Sequence, residues 1–230
     1  MTDQSSFGVR VQESRRVKFF KDPASAWTHF AGFWAAMVGL LFLIIQAPPE
    51  SAKLASFVFY GICLAVLFLA SSCYHFFDIG ERGNHMLRRV DHAAIYWLIV
   101  GTYVPPVVHL LEGTLRTNML ILLFVVGTLG SLYKLIWFKA PVWLDVMVYV
   151  GLGWMIFIPE NLLSSMDTYT FTWMLIGGLF YTVGAVVFAT EWPDPWPKKF
   201  GHHDIWHLFV LAGAACHFYF VYLFLPVPIP

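Results

Sequence analysis

HHDIWHLFVLAGAACHFYF, residues 202–220, opens on a cluster of imidazoles and continues as a run apolar enough to lie in lipid. Crossing the ~30 Å hydrocarbon layer of a bilayer takes roughly 20 helical residues, and this run together with its flank over 203–225 supplies them. The stretch therefore reads as a transmembrane helix entered through histidines.

Six more runs of similar character precede it, around 25–46, 54–77, 91–111, 118–138, 142–159 and 170–190. Of the 230 residues 59 % are hydrophobic, 18 % aromatic and only 12 % charged, far from the usage of soluble domains. The fold class expected is all-α: a polytopic membrane protein built as a seven-transmembrane helix bundle over 25–225, with a basic arm at 1–24 and a short tail at 226–230. A polar, charged arm precedes the first span and no small-residue cleavage site follows it, so that span reads as a retained helix.

Orientation follows from the fourteen basic residues. Arg10, Arg15, Arg16, Lys18 and Lys21 lie in the arm, Arg82, Arg88 and Arg89 in the second connection, Lys134 and Lys139 around the fourth, and Lys198 and Lys199 in the sixth. Only Lys53 and Arg116 fall on the opposite side. This alternation puts the N-terminus in the cytoplasm and the C-terminus outside, as in a bacterial inner membrane.

Cys63, Cys73 and Cys216 all fall inside spans, so no disulfide framework is indicated. A formal net charge of zero, with basic residues confined to membrane edges, gives no continuous basic face for nucleic acid. The arm RVQESRRVKFFKD suits anionic headgroups instead, which makes membrane lipids the expected partners. The connections are too short for an extramembrane domain, so function is expected among the helices.

The polar residues of the spans can now be placed by depth. Ser71 and His75 in SSCYH are four apart and share one face at the inner end of span two. Asp91 in RRVDHAAIYW opens span three on that side. Span seven also begins there, and His203 and His207 repeat the i, i+4 spacing, about 6 Å apart along the helix axis. Three helices thus bring imidazoles and a carboxylate to one leaflet.

Three neutral imidazoles with an open fourth position make the ligand count of a catalytic zinc site, whose metal lowers the pKa of bound water to about 7. His75, His203 and His207 are the candidate Zn²⁺ ligands. Asp91 is the candidate general base, and Ser71 has the reach to bond the water, the carboxylate or a developing oxyanion. Blander readings exist for each. Asp91 suits the positive end of a helix dipole, Ser71 suits close helix packing, and a histidine at a helix end commonly bonds a carbonyl. His29, His85, His92, His109 and His202 carry less weight by position. His217, about 20 Å along the helix from His203, reads as an interhelical hydrogen bond. Gly32, Gly39, Gly177, Gly178 and Gly184 read as close-packing positions, and Pro105–Pro106 as a bend.

Four stretches, DPASAWTHFAGFWAAMVGL at 22–40, SSCYHFF at 71–77, LRRVDHAAIYWLIVGTYVP at 87–105 and FGHHDIWHLFVLAGAACHF at 200–218, together resemble the bacterial hemolysin III family. That family belongs to the grouping of progestin and adiponectin receptors, itself related to alkaline ceramidases. The resemblance implies a seven-helix bundle with zinc held near the cytoplasmic side by His75, His203 and His207, and Asp91 close to the metal-bound water. The expected activity is hydrolysis of a lipid amide such as a ceramide-like molecule. The rivals are a receptor or scaffold in which zinc only ties helices together, and a pore-forming cytolytic protein.

Overall fold

The structure, a computed structural model, describes residues 18–19, 21–137, 140–197 and 199–225. Most of the basic arm, including Arg10, Arg15 and Arg16, together with Lys139, Lys198 and the tail 226–230, lies outside the described residues.

Among the described residues there are eight α-helices. They are α1 (Pro23–Gln46), α2 (Ser51–Phe76), α3 (Glu81–Leu110), α4 (Gly113–Ile136), α5 (Val142–Trp154), α6 (Glu160–Ser164), α7 (Thr168–Thr190) and α8 (His202–Tyr222). Two-residue strands β1 (Lys18–Phe19) and β2 (Phe77–Asp78) pair antiparallel where the chain enters α1 and leaves α2. Among the described residues six helices, α1 to α4, α7 and α8, are long and apolar enough to cross a membrane. The shortest of these, α8 with 21 residues, spans about 32 Å at the α-helical rise.

The apolar surface is arranged for lipid. On α1 the buried positions Ala26, His29, Gly32, Ala36 and Leu43 form one stripe, while Val38 and Ile45 on the opposite side are 69 % and 68 % exposed. A face of that kind in water would be a large apolar patch; in a bilayer it meets hydrocarbon. Helices α1 to α4 pack in chain order, α7 packs on α8, and α8 closes against α1. The contacts are close because small residues sit at the crossings. A Cβ at Gly177 would stand 2.2 Å from the His217 ring, and one at Gly184 would stand 2.6 Å from Phe209.

Two element boundaries differ most from the sequence reading, besides a five-residue earlier start of α4. The expected fifth span, 142–159, is a 13-residue helix continued by a 3₁₀ turn over Met155–Phe157, about 20 Å of α-helix. Gly151 and Gly153 weaken its end, Pro159 bars continuation, and the Tyr103 hydroxyl donates to the carbonyls of Leu152 and Gly153 at 2.9 and 2.7 Å. Carbonyls that a continuing helix would have bonded are thus satisfied from α3, as a membrane interior demands. The second difference is that α3 begins at Glu81, well before the expected 91. Asp78 holds the entry turn by accepting from the Gly80 N–H and the Asn84 amide at 3.2 and 2.8 Å. Gly80 takes φ 86°, a left-handed value that favours glycine.

Lys134, read from the sequence as an edge charge, is instead fully buried and ion-paired with Asp145 of α5. Tyr133 donates to the other oxygen of that carboxylate at 3.3 Å. His217 makes the interhelical bond expected of it, with Nε2 donating to the Met174 carbonyl at 3.0 Å.

Candidate metal centre

Helices α2, α3 and α8 deliver the sequence-predicted residues to one end of the bundle. The end of α2 brings Ser71 and His75, both 2 % exposed. The first two turns of α8 bring His203 and His207. His75 Nε2 lies 3.4 Å from His203 Nε2, which lies 3.1 Å from His207 Nε2. One ring nitrogen from each of the three lies within 4.8 Å of the others. Metal–nitrogen bonds of about 2.0–2.1 Å at tetrahedral angles place neighbouring nitrogens roughly 3.3–3.4 Å apart, so this separation suits a shared ion, and the buried three-histidine group could hold one.

The tautomer of His75 agrees with that fit. Its Nδ1 is 2.9 Å from Asp22 Oδ2. An ionised carboxylate only accepts, so Nδ1 carries the hydrogen and Nε2 of the neutral ring presents a lone pair to the cluster. The imidazole, foremost, and Lys21 beside it hold the Asp22 carboxyl below the usual carboxylate range, against the opposing effect of its partial burial.

Asp91 is not one of the three clustered groups. With Ser71 it lines the same cavity as His203 and His207. Because α3 starts at Glu81, Asp91 stands nearly three turns inside the helix, and the helix-end explanation of its charge does not hold. The cavity is lined at this end by Ser71, Asp91 and His203 and continues through the bundle past Ile99, Tyr181 and Phe220.

The fold brings to the cluster His29, given little weight from the sequence, and Asp22, for which the sequence reading had no role. His29 Nδ1 is 2.8 Å from Ser71 Oγ, and its ring stacks on His207 with centroids 3.8 Å apart. Asp22 holds His75 twice, by the side-chain bond and by its own N–H donating to the His75 carbonyl at 3.0 Å. Between them Ser25 donates to Asp204 Oδ1 at 2.7 Å, while Asp204 Oδ2 accepts from the Gly201 N–H at 2.9 Å at the start of α8. The available signal was spacing. Asp22, Ser25 and His29, three and four apart in DPASAWTH, follow the helical repeat and hence share a face.

The family model described as Haemolysin-III related matches residues 17–218. The hemolysin-3 homolog of Bacillus subtilis is 33 % identical over 210 residues, covering 90 % of this chain and 95 % of the relative. Hemolysin-3 of Bacillus cereus is 31 % identical over 219 residues, covering 94 % and 96 %. The adiponectin receptor protein of Drosophila melanogaster is 27 % identical over 225 residues, covering 86 % of this chain and 49 % of that longer receptor. The matched segment contains every helix of the bundle up to the histidines of α8, and the chain belongs to the haemolysin-III-related family of integral membrane proteins, within the wider grouping that includes the adiponectin receptors.

Proposed function

We propose that this protein is a zinc-dependent membrane hydrolase of lipid amides, with His75, His203 and His207 holding the ion and Asp91 and Ser71 serving the reaction. The observation that carries the reading is the separation of roles at one site: three imidazole nitrogens cluster within 4.8 Å, while the carboxylate stands outside that group at the wall of the same cavity. Zinc bound by three histidines with a position left open acidifies water and polarises a carbonyl.

The remaining chemistry belongs to side chains of this chain. Asp91 accepts a proton from the attacking water and returns it to the amide nitrogen as the C–N bond breaks, leaving the water oxygen on the acyl carbon. Ser71, which lines the same cavity and is bonded to His29, orients that carboxylate. The apolar continuation of the cavity takes the hydrocarbon chain of a lipid whose polar head meets the cluster. Amide as the scissile bond follows from the resemblance to alkaline ceramidases.

In the same reading α5 with its 3₁₀ turn completes a seven-span bundle, the N-terminus is cytoplasmic, and the site faces the inner leaflet of a bacterial plasma membrane. The test is hydrolysis of N-acyl sphingoid and other lipid amides by purified protein, compared with Asp91→Asn. A rate lower by about 10²–10⁴-fold in the variant is expected for loss of a general base. Full activity in Asp91→Asn removes the carboxylate from the mechanism, and no hydrolysis of any lipid amide by zinc-loaded wild-type protein rejects the activity.

A further inference from the structure

Residues 18–19 and 21–22 lie across the end of α2 like a strap. Its strand β1 pairs with β2, directly beyond His75, through Lys18 with Asp78 and Phe19 with Phe77. It ends at Asp22, whose N–H donates to the His75 carbonyl at 3.0 Å and whose Oδ2 accepts from His75 Nδ1 at 2.9 Å. His75 is therefore held at backbone and ring by one residue that belongs to neither α2 nor α8. A histidine that ligates through Nε2 has its ring orientation and basicity set by whatever accepts from Nδ1. Among the hydrogen bonds of the described residues, only His75 of the three has a carboxylate in that place.

Resting on the reading of the cluster as a metal site, we propose that Asp22 is a positioning residue of that site. The strap carrying it makes docking of the N-terminal segment and retention of the metal a single linked equilibrium. The charge on Asp22 strengthens His75 as a ligand and fixes the tautomer that faces the ion. Its backbone bond fixes the turn from which the ring projects. Linkage requires the converse: an ion on Nε2 makes Nδ1–H a stronger donor and tightens the strap.

The test uses full-length protein, with Zn²⁺ affinity measured by chelator competition and the ligand field read from the visible absorption of the Co²⁺-substituted form. Asp22→Asn keeps shape and an acceptor but loses the charge, and Asp22→Ala loses both. Zinc affinity is expected to fall about 10–100-fold, more for Ala than for Asn, with a shifted Co²⁺ spectrum in both and an unchanged melting temperature of metal-free Asp22→Asn. Chelation of wild-type protein is expected to speed exchange of the Asp22 amide hydrogen. Wild-type zinc affinity and Co²⁺ spectrum in Asp22→Ala would overturn the positioning role, and unchanged Asp22 amide exchange on chelation would overturn the linkage. Wild-type protein that binds neither ion would instead reject the metal reading on which the proposal rests.

Discussion

Asp91 is the residue at which an open catalytic site and a closed structural one part company. A carboxylate that serves water can become an amide without loss of metal, because His75, His203 and His207 still satisfy three positions. A carboxylate that ligates cannot. Asp91→Asn is accordingly expected to keep the zinc content and melting temperature of wild-type protein while turnover falls, whereas loss of zinc and stability together would mark Asp91 as a fourth ligand, since metal binding contributes directly to folding. That His75, His203 and His207 come together, with Ser71 and Asp91 on the cavity beside them, was legible because i, i+4 spacing on α2 and α8 gives a common face and the basic residues suggest a common depth. Asp22 and His29 were not. Their roles arise from α1 lying against the ends of α2 and α8, a pairing that no spacing within one helix states.

At the scale of elements, hydropathy alone located the six long helices to within about five residues except at the start of α3, where a polar turn held by Asp78 extends the helix beyond its apolar part. The fifth helix was misjudged in length for the opposite reason. Apart from Asp145 its residues stay largely apolar through Ile158, but two glycines, Pro159 and the Tyr103 hydroxyl end the helical bonding earlier. Polar anchors tie α5 to its surroundings, among them the Lys134–Asp145 pair with α4. Removing one member of a buried pair leaves the other charge uncompensated, at a cost of about 3–5 kcal/mol. Asp145→Asn is therefore expected to lower thermal stability in detergent sharply, and the double change Lys134→Met with Asp145→Leu to recover most of the loss. A double variant no more stable than the single one would show that α5 does not depend on cancelling this charge.

For the whole molecule, the ends of α2 and α8 that carry the histidines lie at the same end of the bundle as the start of α3 with its Arg82, Arg88 and Arg89. Impermeant thiol reagents applied from outside are expected to label cysteines introduced at Glu112 and Ser164 but not at Gly83, and the reverse pattern would invert the orientation. The central question is whether α2 and α8, distant in sequence, meet in order to hold an ion between His75, His203 and His207. Elemental analysis of protein purified without chelator addresses this most directly. About one zinc per chain, lost in His203→Ala and in His207→Ala, is the expected result for a three-histidine site. Wild-type protein free of zinc and unable to take it up, or alanine variants that keep a full complement, would contradict it.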